Sequence, residues 1–204
     1  MKKSKLLLAA TGATVLLGAL VSSASARNLS TSTQSISAMW SSVTFSGAFG
    51  TSDCHLTLEG SMHSRTMQKS SGSLVGYITR AILGGCPQGT ATILQETLPW
   101  HMRYSGFEGA LPNIRSFILH TIGVSFRIRE GGGFSCHIVT TAAQPGIATT
   151  HRSTATQELT EVGVSGRIRT TGEECLGLEG TFLSVSGAIS VLGTSSTRIS
   201  ISLI

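Results

Sequence analysis

The chain has 204 residues, only 12% of them charged and 5% aromatic, and its 15 Lys and Arg against 10 Asp and Glu give a net charge of +5. Three of the cations, Lys2, Lys3 and Lys5, stand at the extreme N-terminus, and the rest are scattered, with Arg127/Arg129 and Arg167/Arg169 as the close pairs. That distribution excludes a basic surface able to track a phosphate backbone, so no nucleic-acid partner is expected.

Residues 1–26 combine the three Lys with an apolar run from Leu6 to Val21 and a small-residue ending, Ala24-Ser25-Ala26. This is the layout of a secretory signal peptide cleaved after Ala26. The apolar run is interrupted by Thr11, Gly12, Thr14 and Gly18, and it falls short of the roughly 18 to 20 residues of a spanning helix. No long apolar run follows it, so the mature chain is expected to have no membrane span and to be secreted or otherwise extracytoplasmic, the cell surface included. Its length suits one domain. Residues 27–35 are small and polar and read as a flexible leader, leaving 36–204 as the folded unit.

Four cysteines, Cys54, Cys86, Cys136 and Cys175, contain no Cys-x-x-Cys pair. In an exported chain that spacing points to disulfides and away from zinc. Of the three connectivities, Cys54–Cys86 with Cys136–Cys175 is favoured, because each bond then staples one side of a central stretch, Leu98 to Ile114. Cys54–Cys175 stays open, since Cys54…Leu58-Glu59-Gly60-Ser61 is echoed by Cys175…Leu178-Glu179-Gly180-Thr181.

In chain order, period-two alternation begins near Ile36 and is clearest where Cys54, Leu56, Leu58, Gly60 and Met62 alternate with His55, Thr57, Glu59, Ser61 and His63, a half-buried strand. Leu74 to Leu83 is apolar on both faces and reads as a strand buried on both sides; Ala91 to Leu98 follows a Gly84-Gly85-Cys86-Pro87 turn. Pro99 lacks the amide proton that a ladder needs, so a strand should end there, and Gly106, Gly109 and Pro112 should keep the next segment irregular. Ile118, His120, Ile122, Val124, Phe126 and Ile128 share one face of a hairpin that reverses at Glu130-Gly131-Gly132-Gly133 and returns through Phe134, Cys136 and Ile138. Thr140 to Gln157 reads as a long surface loop. Strands resume at Val162 to Arg169 and Leu176 to Val185, and the chain ends on Ile199, Ile201 and Leu203 in alternation with Ser.

No mature segment sustains a helical period, so the fold class is all-β: an antiparallel β-sandwich, or alternatively a closed β-barrel, stapled by disulfides. Cys54…Leu58-Glu59-Gly60-Ser61, Gly76-Tyr77-Ile78-Thr79-Arg80-Ala81 and Leu98-Pro99-Trp100-His101…Tyr104…Phe107…Gly109…Leu111-Pro112-Asn113-Ile114 resemble a set of exported bacterial all-β proteins of unknown function. The resemblance implies secretion and a shared fold, and it assigns no residue a role.

Candidate sites are few. Trp100, His101, Arg103, Tyr104 and Glu108, in the expected irregular segment, form the best candidate recognition surface, with aromatics and a cation suited to a saccharide or a cell-envelope component. Against this stands the reading of Trp100 and Tyr104 as a plug at one end of the core. His55 and His137 should point away from their neighbouring cysteines, and no His spacing supports a metal site. No cofactor is expected. With one Asp, Asp53, and no Gly-x-Ser-x-Gly elbow, no catalytic residues are assigned, and a binding or structural role is expected. The alternative is a secreted polysaccharide hydrolase using Glu59 and Glu179, if the two echoing strands are neighbours.

Overall fold

The structure is a computed structural model; it describes residues 28–47, 50–86, 90–111, 113–129, 135–171, 182–189, 191–192 and 199–204. The expected signal peptide, the Glu130–Gly133 turn and Cys175 lie outside the described residues.

The elements are β1 (Asn28–Thr31), β2 (Ser35–Gly47), β3 (Gly50–Met62), β4 (Thr66–Gln68), β5 (Leu74–Gly84), β6 (Thr90–Ile93), a 3-10 turn (Gln95–Thr97), β7 (Trp100–Ala110), β8 (Asn113–Ile122), β9 (Ser125–Arg129), β10 (Ser135–Val139), β11 (Gly146–Arg152), β12 (Leu159–Thr171), β13 (Phe182–Ile189), β14 (Val191–Leu192) and β15 (Ile201–Leu203). The fold is all-β, as expected.

All pairings are antiparallel, and they close a ring: β2 pairs β3, then β5, β7, β8, β11, β12 and β13 follow in turn, and β13 returns to β2 through Ser184↔Ser46 and Val185↔Phe45. The architecture is thus the closed barrel of the two all-β alternatives. β6, β9 and β10 extend the same walls, since β6 pairs β9, β9 pairs β10, and β10 pairs the far end of β12. Read this way, β6 with β7, β8 with β9, and β10 with β11 are three broken wall strands, and the barrel is an eight-stranded up-and-down meander. Closing the ring pairs each of its eight main strands on both sides, which protects their edges.

Two of the three breaks have a local cause. Leu98 and Pro99, joined by a cis peptide, lie between the 3-10 turn and β7, where Pro cannot donate to the ladder. Gly123 separates β8 from β9 with φ +87°, a conformation that Gly adopts without steric cost. The faces switch across it: Phe126 is buried, whereas Ile118, His120 and Ile122 are only half-buried. The single face expected from Ile118 to Ile128 is therefore corrected. At the bulge between Glu59 and Gly60, a Cβ on Gly60 would stand 2.1 Å from the Tyr77 carbonyl oxygen, so the close passage of β3 and β5 requires glycine there.

Three other expectations are corrected. β5 is not buried on both sides, because Thr79, Arg80 and Ile82 are exposed on the outer face of a single-layered wall. The 140–157 region is not all loop, since β11 completes the ring between β8 and β12. Residues 28–31, expected in a flexible leader, form β1 with Leu29 buried.

β1 pairs both β15 and β4 in a small three-stranded sheet. Leu29, Met67, Ile199 and Ile201 are buried beneath it, and Thr31, Ile199 and Ile201 face the barrel interior, so the two described termini together close one end. Arg152 fastens this cap, its Nε donating to the Ile201 carbonyl and its Nη1 to that of Ile114 at 2.9 Å. Toward the other end the rings of Phe45 and Phe126, on opposite walls, meet edge to face with centroids 5.4 Å apart.

The Cys54–Cys86 disulfide is present, joining the start of β3 to the residues after β5. Cys136 is buried and also disulfide-bonded. Its expected partner, Cys175, lies outside the described residues.

Candidate functional site

Period-two alternation on a closed wall sends every second side chain inward. Here the inward set is apolar: Trp40 and Phe45 from β2, Leu56 and Leu58 from β3, Ile78 and Leu83 from β5, Trp100 and Met102 from β7, Phe117 and Leu119 from β8, and Val162 and Val164 from β12. They do not fill the barrel. A cavity of about 160 Å³ remains, reaching from Ile199 and Ile201 in the cap to Phe45 and Phe126.

The room comes from β11, whose inward positions are small: Gly146, Ala148 and Thr150. No Asp, Glu, Lys, Arg or His is among the described lining residues. Some of the polar atoms that reach it are engaged. Trp40 Nε1 donates to the Val162 carbonyl at 3.3 Å and Trp100 Nε1 to Thr97 Oγ1 at 3.0 Å. Thr140 Oγ1 accepts the Val124 amide at 2.9 Å. Thr121, Thr150 and Ser165 add hydroxyls that make no hydrogen bond with the described residues.

The five residues expected to form a recognition surface do not share one. They lie on β7, a regular wall strand and not an irregular segment. Gly106 and Gly109 are absorbed as register shifts in the β7–β8 pairing, which is why glycines that read as breakers leave the strand intact. Trp100 and Tyr104 point inward and are each 2% exposed, as the plug reading anticipated. His101 and Glu108 are exposed and Arg103 is half-buried. The His101 ring packs edge-on against Tyr77 at 5.1 Å, and the Glu108 carboxylate accepts from Ser116 Oγ at 2.8 Å. Trp100 therefore belongs to the lumen, and the aromatic and charged members are divided by the wall.

Glu59 is also on the outer face, paired with Arg80 at 2.8 Å; Glu179 lies outside the described residues. His55 and His137 do point away from the sulfurs beside them, both being more exposed than the buried Cys54 and Cys136. His137 Nε2 hydrogen-bonds Ser125 Oγ, but Ser125 is 1% exposed, so a substrate carbonyl has no approach to that hydroxyl. The lumen residues Thr121, Thr140, Gly146 and Ala148 went unmarked in the sequence. Their signal was there, in the small and β-branched composition of 140–150, which suits a wall strand with an empty inner face as well as it suits a loop.

Tyr104 carries an unusual burden. Its hydroxyl is buried without a hydrogen-bond partner among the described residues, and burial raises its pKa from the usual 10.0. An unpaired buried hydroxyl costs about 1 to 3 kcal/mol, so Tyr104→Phe is expected to raise stability by about 1 kcal/mol in urea denaturation. Because the folded pKa is the higher one, the unfolded chain loses its proton first, and stability present below pH 10 falls as pH rises beyond it. The Phe variant should lose less stability than the parent between pH 9 and 11; equal losses would assign the alkaline effect elsewhere.

Comparison with protein-family models, curated proteins and solved structures returned no match.

Proposed function

We propose that this is an exported binding domain, not a catalyst, and that its ligand site is the barrel lumen. The observation that carries this reading is the apolar cavity of about 160 Å³ inside a closed wall. Interiors are normally packed without voids larger than a water molecule, because unfilled apolar space forfeits dispersion contacts. A retained cavity of this size is a cost that a ligand offsets.

Other features support it. The Cys54–Cys86 bond suits an oxidising compartment, in keeping with the N-terminal layout of residues 1–26. The outer wall carries Asp53, Glu59, Arg80 and Arg115 among its accessible positions, the inverse of a lipid-facing barrel, whose outer band is apolar and whose interior is polar. No helix among the described residues is long and apolar enough to cross a membrane. The hydrolase alternative is weakened by the engagement of Glu59 with Arg80 outside the lumen.

The test uses toluene, which is small enough for the space, and Ala148→Leu, which fills it. Toluene should shift methyl resonances of Ala148, Leu119 and Val164, and at tenfold excess over its Kd it should stabilise the fold by about 1.4 kcal/mol. Ala148→Leu should abolish both effects. Unchanged lumen resonances at saturating toluene would remove the site.

A further inference from the structure

The lumen's size, its lining and the hydroxyl beside Gly146 together define what it takes. Resting on the lumen reading above, we infer that the ligand is an uncharged molecule of single-ring size bearing one hydroxyl or carbonyl, oriented by Thr121.

Size sets the first limit. A dry cavity of about 150 Å³ accepts benzene, and this one, at about 160 Å³, has room for one substituted ring and none for a long acyl chain or a fused polycycle. The cap bounds it at one end, and the Phe45–Phe126 contact narrows it toward the other.

Charge sets the second. With no ionisable group among the described lining residues, a carboxylate or ammonium in the lumen loses its hydration and gains no partner there, so it binds only after neutralising. The shape of the lining favours a ring over a chain. Both Trp of the protein and Phe45, Phe117 and Phe126 face the space, and aromatic walls gain most from a guest that stacks offset or edge to face.

The third limit is where polarity is found. Gly146 has no side chain, and the position its Cβ would take lies 3.8 Å from Thr140 Cγ2 and 3.9 Å from Thr121 Cβ. The two threonines thus flank the same opening. Thr140 turns its methyl to that position while its Oγ1 accepts the Val124 amide, and the Thr121 hydroxyl can donate or accept. An oxygen on the ligand placed beside Gly146 therefore relies on Thr121.

The experiment compares four probes on the oxidised protein by methyl NMR titration at pH 7: p-cresol, toluene, 4-methylbenzoate and dodecanol. p-Cresol should bind about fivefold tighter than toluene, the yield of one net hydrogen bond, and the benzoate and dodecanol should bind at least about 100-fold more weakly than p-cresol. Thr121→Val should bring p-cresol down to the affinity of toluene and leave toluene itself unchanged. Benzoate or dodecanol binding as tightly as p-cresol overturns the ligand class while leaving the lumen as the site. Retention of the full p-cresol preference in Thr121→Val overturns the role assigned to Thr121. If none of the four perturbs the lumen methyls, the binding reading itself fails.

Discussion

Replacing Cys54 and Cys86 together by Ala is expected to cost about 3 to 4 kcal/mol of folding stability, a large share of the 5 to 15 kcal/mol typical of a domain. The bond closes a loop with a sequence separation of 32, and on the chain-entropy model that is the conformational freedom it withholds from the unfolded chain. Its position adds to the effect. Cys54 is 1% exposed and sits where β3 enters the wall, so the bond also holds the β3–β5 register at the end opposite Gly60. The double variant is the informative one, because a single substitution leaves a reactive thiol. The measurement is the urea midpoint of oxidised parent and double variant, with the slope compared as well. A loss below about 0.5 kcal/mol would mean that the long β3–β5 ladder holds the register unaided. Peptide mapping without reduction checks the framework independently: Cys136 recovered with Cys175 completes the expected pairing.

The fold class was legible because strand alternation and turn residues are local properties. Cys54, Leu56 and Leu58 alternate with His55, Thr57 and Glu59 in the sequence, and the wall uses them in that order. Closure was not legible. It depends on β13 meeting β2, as in Ser186↔Thr44, a pairing set by twist and by the curvature of the whole sheet, which no window of residues encodes. The errors of detail have the same origin. A period-two count runs straight through Gly123, whose positive φ moves the following residues to the other face. β5 looks doubly buried because Val75, Tyr77, Ile78 and Ile82 are all apolar, yet a barrel wall has one layer, and Ile82 is left 44% exposed.

The candidate site failed for a physical reason as well. Pro99, Gly106, Gly109 and Pro112 are turn formers when taken one at a time, and an irregular surface segment follows from them. In the fold Pro99 precedes the strand, and both glycines sit at register shifts within it. The lumen was invisible because it is defined by what β11 lacks. Gly146 and Ala148 are unremarkable as residues, and only the ring of neighbours turns their small size into a cavity.

Trp100→Ala is expected to produce the largest loss of any single substitution considered, about 3 to 5 kcal/mol. The indole is 2% exposed, lines the lumen, and anchors its Nε1 on Thr97 Oγ1 at 3.0 Å, so truncation removes buried apolar area, opens further empty volume and strands a hydroxyl that now has one partner fewer. The closed wall limits collapse around the gap, which argues for the upper part of that range. Urea denaturation should show a lower midpoint at an unchanged slope, as befits a cavity in the native state and not an altered unfolded chain. Trp40 is buried as well, at 3% exposure, so acrylamide should quench the parent's fluorescence weakly without any need to separate the two indoles. The variant also probes the lumen directly, because its cavity is the old one enlarged by the missing ring. Indole, too large for the parent on this accounting, should bind Trp100→Ala and recover part of the lost stability, rising with its free concentration as mass action requires. A variant that loses less than about 1 kcal/mol, or that gains nothing from indole, would show that the space beside Trp100 closes on its own and is not part of a site.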